Sequence, residues 1–120
     1  MEDLILFLRA RLDEDERYAH SAKGLIGVEN PWWTWDALKN RFPSLSRGDA
    51  QHIERHGPMR VLREIDAKRR LLAIHRPYVP EPDMACLGCA GGIMFTSCPV
   101  VRLLALPYAD HPNYREEWRA

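Results

Sequence analysis

Apolar residues recur at helical spacing near the start of the chain. Leu4, Leu8 and Leu12 lie four residues apart, and neither Gly nor Pro occurs before Gly24. Because residues four apart share one face of an α-helix, this pattern predicts an amphipathic helix over residues 3–22.

A second stripe of apolar residues predicts a helix over residues 59–75. Leu62, Ile65 and Leu72 belong to it, and charged residues separate them. Pro77 ends the helix, because the residue before a proline is pushed out of the α region.

Shorter helices are predicted where a capping residue or a proline marks a start. Such signals occur at Asn30-Pro31, Ser46 and Cys98-Pro99. A polar residue can cap the first turn of a helix, and proline is favoured at the first helical position. The short helices predicted in this way cover residues 31–41, 49–56 and 99–106. A further short helix is predicted in the tail, around residues 114–118.

The size and composition of the chain favour one globular domain over residues 1–120. It has 120 residues, of which 46% are hydrophobic and 28% charged, enough for a core and a solvated surface. Its predicted parts are an N-terminal helix (1–22), a Trp-containing middle (23–57), a central basic helix (58–76), a loop (77–98), and a C-terminal helix with a tail (99–120).

Charge and hydropathy narrow the classes of partner. The formal net charge is zero, which excludes a uniformly cationic coat for nucleic acid. The apolar run at 103–106 is far shorter than the roughly 18 residues of a membrane span. Acidic Glu2 and Asp3 stand where a signal peptide carries basic residues. We therefore expect a cytoplasmic protein with no membrane partner.

The three cysteines are clustered and odd in number, which argues against a disulfide framework. Cys86 and Cys89 form a CxxC pair, followed by small residues that let the backbone turn back on the sulfurs. Cys98 lies at a helix N-terminus, where the helix dipole favours the thiolate that a metal binds. This spacing indicates a zinc knuckle.

A closed tetrahedral zinc site needs a fourth ligand. His75 is the preferred choice, because it ends the central helix and the proline-rich loop can fold back over it. His56 and His111 are held in reserve as alternatives. The predicted cofactor is one structural Zn²⁺, bound by His75, Cys86, Cys89 and Cys98. The predicted fold class is a mainly α, small helical domain with a loop-rich zinc-knuckle segment near the C-terminus.

Three other interpretations of the cysteines stay open. A thioredoxin-like redox pair needs a strand before CxxC and a helix after it, whereas Ala-Gly-Gly follows Cys89 here. An iron–sulfur cluster prefers four thiolates. The cysteines can also be unliganded small hydrophobes.

Several stretches together resemble a family of small uncharacterised proteins of actinobacteria and their phages. They are LILFLRARLDEDE (4–16), HIERHGPMRVLREI (52–65), AKRR (67–70), CP (98–99), RLLALPYADHP (102–112) and YREEW (114–118). In this family, a histidine that follows the KRR helix occurs together with a CxxC motif and a CP motif. The resemblance therefore implies one ligand set, which on this chain is His75, Cys86, Cys89 and Cys98. It implies an actinobacterial or phage origin and no activity, and residues 21–51 lie outside it.

Aromatic residues are concentrated at Trp32, Trp33 and Trp35. Tryptophan is enriched at the centres of protein interfaces, so these residues are candidates for anchoring a protein partner. Alternatively, two of them fill a small core. Successive residues cannot all face one side, so at least one indole is expected to be exposed.

Basic residues give the alternative function. Lys68, Arg69 and Arg70 lie on the basic helix 60–76, which could read nucleic acid as part of a helix-turn-helix. However, the charges surround the helix, and pairing with the acidic first helix explains them as well.

The sequence contains none of the common catalytic motifs GxSxG, P-loop or HExxH. The sequence therefore favours a non-catalytic, zinc-stabilised interaction or adaptor protein.

Overall fold

The computed structural model describes residues 1–22, 34–81 and 84–120. Its α-helices are α1 (Glu2–Ser21), α2 (Trp35–Arg41), α3 (Arg47–Arg55), α4 (Pro58–Ile74) and α5 (Pro99–Ala105). Short 3₁₀ turns cover Phe95–Ser97, Leu106–Tyr108 and Glu116–Trp118. These ranges contain no regular strand, so the predicted mainly α class is confirmed.

Local capping explains where the short helices differ from prediction. α2 begins at Trp35, because the Thr34 hydroxyl accepts a hydrogen bond from the Ala37 N–H at 3.3 Å. The expected start at Asn30-Pro31 lies outside the described residues. α3 begins two residues earlier than predicted, since the Ser46 hydroxyl accepts the Asp49 N–H at 3.0 Å. The last element is a 3₁₀ turn and not an α-helix.

The described residues group into two compact units. Unit 1 comprises Met1–Glu14 and Asp66–Ala120, and unit 2 comprises Asp15–Ile65. The single domain over residues 1–120 stays a prediction.

The core of unit 1 joins the first turns of α1 to α5 and the C-terminal tail. Its buried members are Leu4, Phe7, Leu8, Cys86, Cys98, Val101, Ala105 and Trp118. The Phe7 ring lies 5.1 Å from the Trp118 ring and 6.1 Å from the Tyr114 ring, centre to centre. Two of the three cysteines are therefore part of the hydrophobic core.

Unit 2 is built around the contact between α2 and α3. Leu38 of α2 and Ala50 of α3 are buried there. The Lys39 ammonium group donates to the Leu45 carbonyl at 2.6 Å and to the Pro43 carbonyl at 3.4 Å, which fixes the turn between the two helices.

No helix within the described ranges is both long enough and apolar enough to cross a lipid bilayer.

We expect Trp118→Ala to lower the free energy of unfolding by about 3 kcal/mol, because it removes a buried indole from the unit 1 core. Tyr18→Ala is the matched control, since Tyr18 is 69% exposed, and it should change the free energy by less than about 0.5 kcal/mol. Urea denaturation followed by circular dichroism measures both. Equal effects of the two substitutions would contradict the described core.

Candidate metal centre

His75 lies at the C-terminal end of α4. It directly follows the last helical residue, Ile74, and its backbone N–H donates to the Leu71 carbonyl at 2.9 Å. The side chain is 8% exposed. The end of the helix therefore holds this imidazole in a buried position.

Short antiparallel pairing positions Cys86. The Cys86 N–H donates to the Ile93 carbonyl at 2.7 Å, and the Leu87 N–H donates to the Arg76 carbonyl at 2.8 Å. Pro77 and Cys86 form one isolated antiparallel bridge, and Ala85 and Met94 form another. The segment predicted as a plain loop is thus ordered by backbone hydrogen bonds on both sides of Cys86.

Two glycines return the chain from Cys89 to this pairing. Gly91 and Gly92 have φ values of 79° and 71°, in the left-handed region that side-chain-bearing residues rarely adopt. The Cys89 N–H donates to the Cys86 carbonyl at 3.3 Å. The turn from Cys86 to Cys89 brings both sulfurs of the CxxC pair to the same side.

Cys98 is the N-cap residue of α5 and is fully buried. Pro99 follows at the first helical position, where its missing N–H costs nothing. The Arg102 guanidinium donates to the Thr96 carbonyl at 3.1 Å and to the Glu117 carbonyl at 3.0 Å. These bonds hold the approach to α5 against the C-terminal tail.

The four predicted ligands converge on one point. His75 Nδ1 lies 3.5 Å from each of the three sulfurs. Cys98 Sγ lies 3.7 Å from both Cys86 Sγ and Cys89 Sγ. All four ligand atoms lie within 4.8 Å of one another, so this cluster could hold a metal ion.

The electrostatics of the cluster disfavour free thiolates. The pKa of the Cys89 thiol is raised to about 12, first by desolvation and then by the sulfurs of Cys98 and Cys86. Thiolates packed this closely repel one another, and a bound cation removes that repulsion.

The two reserve histidines make other contacts. The His111 ring lies 5.4 Å from the Phe7 ring, and its Nδ1 accepts a hydrogen bond from the Asn113 N–H at 3.0 Å. The His56 ring stacks on His52 in unit 2, with 4.5 Å between ring centres. His75 is thus the histidine that the structure brings to the three sulfurs.

The three basic residues of the nucleic-acid hypothesis all make contacts within unit 1. Arg69 forms an ion pair with Asp13 of α1 at 2.7 Å, and Arg70 pairs with Asp66 at 3.0 Å. The Lys68 ammonium group lies 6.0 Å from the centre of the Tyr108 ring. The acidic first helix thus neutralises part of this basic surface.

Trp35 is the member of the tryptophan cluster that the structure describes; Trp32 and Trp33 lie outside the described residues. Trp35 is half-buried, and its backbone N–H donates to the Glu54 carboxylate. The cationic groups of Lys39 and Arg47 lie 5.6 and 5.8 Å from its ring centre.

The class of protein follows from these observations: it is a mainly helical protein with a His/Cys₃ cluster that could hold a metal ion. The profile of the family of unknown function DUF6221 matches residues 1–120, so the chain belongs to this family. Searches of the curated proteins and of the solved structures found no significant match. The predicted membership of a family of unknown function is confirmed. The distribution of that family among actinobacteria and their phages stays a prediction.

Sequence reasoning did not single out Gly88, which lies against the imidazole. A Cβ at this position would lie 2.8 Å from Ile74 Cγ2 and 2.9 Å from His75 Nδ1. Only glycine therefore lets the CxxC turn approach the His75 imidazole this closely.

We expect Gly88→Ala to weaken metal binding about tenfold or more, because the added methyl group pushes the imidazole away from the sulfurs. Competition with a chromophoric chelator measures the affinity. Gly48→Ala is the control, since its Cβ would meet only the Ser46 hydroxyl at 3.9 Å. Unchanged affinity in Gly88→Ala would mean that His75 is not a ligand.

Proposed function

We propose that the cluster binds one Zn²⁺ ion as a closed structural site. Zn–S bonds of about 2.3 Å in a regular tetrahedron correspond to sulfurs about 3.8 Å apart. A Zn–N bond of about 2.0–2.1 Å corresponds to a nitrogen about 3.5–3.6 Å from each sulfur. The distances of 3.7 Å between sulfurs and 3.5 Å from nitrogen to sulfur match this geometry, and this match carries the proposal.

The same distances favour a single ion over the other interpretations of the cysteines. A multi-iron cluster bonds its cysteines through several iron atoms, so the thiolates stand around a larger object. A redox pair requires two thiols, whereas here Cys98 Sγ and His75 Nδ1 also lie within 4.8 Å of both CxxC sulfurs. Soft thiolates with one imidazole suit zinc.

Four protein ligands fill a tetrahedral coordination sphere, so no position remains for a catalytic water. The ion would instead join three parts of unit 1: the end of α4, the paired segment around Cys86 and the start of α5. Among the described residues from His75 to Cys98, only His75, Cys86 and Cys98 are buried. The metal would therefore supply much of the free energy that orders this segment.

We expect purified, reduced protein to carry about one zinc per chain, measured by elemental analysis. Cys89→Ser should lose the zinc and melt at a lower temperature, because metal binding and local folding are coupled. Ser97→Ala serves as the control, because Ser97 is exposed and lies next to Cys98 in the chain. This variant should keep its zinc and its melting temperature. Metal-free protein together with unchanged melting of Cys89→Ser would contradict a structural zinc site.

We further propose that this zinc-stabilised protein is a non-catalytic interaction module that binds a protein partner. Exposed apolar side chains support this role: Tyr78 is 66% exposed and Leu87 47%, both on segments that the metal would hold in place. In unit 2, Trp35 presents a half-buried indole between two cations. Rigid aromatic side chains in such surroundings are common interface anchors.

We expect Trp35→Ala to lose a partner that the wild-type protein captures from an actinobacterial lysate, because the indole is the proposed anchor. Its melting temperature should change little. Tyr18→Ala, an exposed aromatic residue on α1, is the control and should keep the partner. Quantitative mass spectrometry of the captured proteins compares the three samples.

Capture of the partner by Trp35→Ala at the wild-type level would contradict the proposed anchor.

Retention of duplex DNA would instead favour the nucleic-acid alternative. DNA affinity should then fall steeply as the salt concentration rises, and it should weaken in the double variant Arg69→Ala with Arg70→Ala. The ion pair of Arg69 with Asp13 and that of Arg70 with Asp66 support the interaction role over this alternative.

A further inference from the structure

We propose a second metal site, on α3 in unit 2, formed by His52 and His56. It would take a divalent transition-metal ion that prefers imidazole, such as Ni²⁺, Cu²⁺ or Zn²⁺, through one ring nitrogen of each histidine. This site is independent of the His/Cys₃ cluster in both its residues and its chemistry.

The helix brings the two imidazoles together. His52 lies in α3 and His56 is its C-cap residue, four positions later, so both side chains leave the same face. The His56 N–H donates to the His52 carbonyl at 3.1 Å, which fixes the helical spacing. The ring centres are 4.5 Å apart with 36° between the planes.

A shared ion requires the two rings to rotate so that one nitrogen of each faces the ion. Two imidazole nitrogens bound to one ion at about 2.0–2.1 Å lie about 3 Å apart. Both side chains are exposed, so they can rotate to this distance without disturbing a packed core. The helix has already brought the second ligand close, which makes the second bond effectively intramolecular.

The two sites would differ in strength and exchange. Two histidines leave several coordination positions to water, whereas the cluster of three thiols and one imidazole is closed. The Arg60 guanidinium donates to the Arg55 carbonyl at 3.3 Å, next to His56 in the chain, and its positive charge opposes a cation there. We therefore expect the second ion to exchange readily with solution.

Calorimetric titration of the purified full-length protein with Ni²⁺ tests the proposal, with zinc measured before and after. We expect one Ni²⁺ per chain with no loss of zinc. His52→Asn and His56→Asn should each weaken this binding about tenfold or more, because each removes one of the two ligands. His20→Asn, which changes a single exposed histidine in the last turn of α1, is the matched control and should bind as the wild type does.

A rescue variant separates chelation from a nonspecific effect of the substitutions. Gly48 lies four residues before His52 on the same helix, and a Cβ there meets only the Ser46 hydroxyl at 3.9 Å. His56→Asn combined with Gly48→His should therefore restore Ni²⁺ binding by rebuilding the pair one turn earlier.

Three results would overturn the proposal. Wild-type protein that binds no Ni²⁺ lacks the site, and unchanged binding in His52→Asn or His56→Asn locates the ion elsewhere. Uptake of Ni²⁺ matched by release of zinc would mean that the ion entered the His/Cys₃ cluster. The zinc content of untreated protein tests the structural site separately, so the two proposals can fail independently.

Discussion

Three sulfurs and one imidazole nitrogen occupy a space the size of one coordination sphere. Two of the three sulfur–sulfur distances are 3.7 Å, and thiolates this close would repel one another strongly. A cation bound at their centre would turn this repulsion into attraction and would tie together residues separated by up to 23 positions in the chain. The relief of this repulsion therefore bears directly on the described residues of unit 1 between His75 and Cys98.

The hydrophobic core and the cluster are parts of the same structure. Cys86 and Cys98 belong to the buried core that also holds Phe7 and Trp118. Displacing either sulfur would therefore disturb the packing between α1, α5 and the tail. In a chain of this size the hydrophobic core supplies modest stability, and a metal bound by residues distant in the chain would add to it.

The sequence predicts the features that depend on local pattern. The apolar stripes predict α1 and α4 to within one or two residues, because helical periodicity is a strong signal over that length. Cysteine spacing and the helix-end histidine select the four residues that the structure brings together. The sequence does not establish that His75 lies close to the sulfurs, since this proximity depends on the path of the chain between His75 and Cys86.

The features that sequence reasoning missed depend on contacts between distant segments or on backbone conformation. The bridges Pro77–Cys86 and Ala85–Met94 are too short to produce alternation of apolar and polar residues. The close approach of Gly88 to His75 depends on the path of the folded chain. The charge pattern does predict pairing between the basic helix and the acidic first helix. It does not specify the particular pair Arg69 and Asp13, which lie 56 positions apart in the chain.

X-ray absorption spectroscopy at the zinc edge of the purified protein tests the central claim most directly. It measures which atoms surround the ion and at what distance. We expect three sulfurs at about 2.3 Å and one nitrogen at about 2.0 Å. A shell of nitrogen and oxygen alone, or a second metal atom close to the first, would contradict a single ion held by His75, Cys86, Cys89 and Cys98.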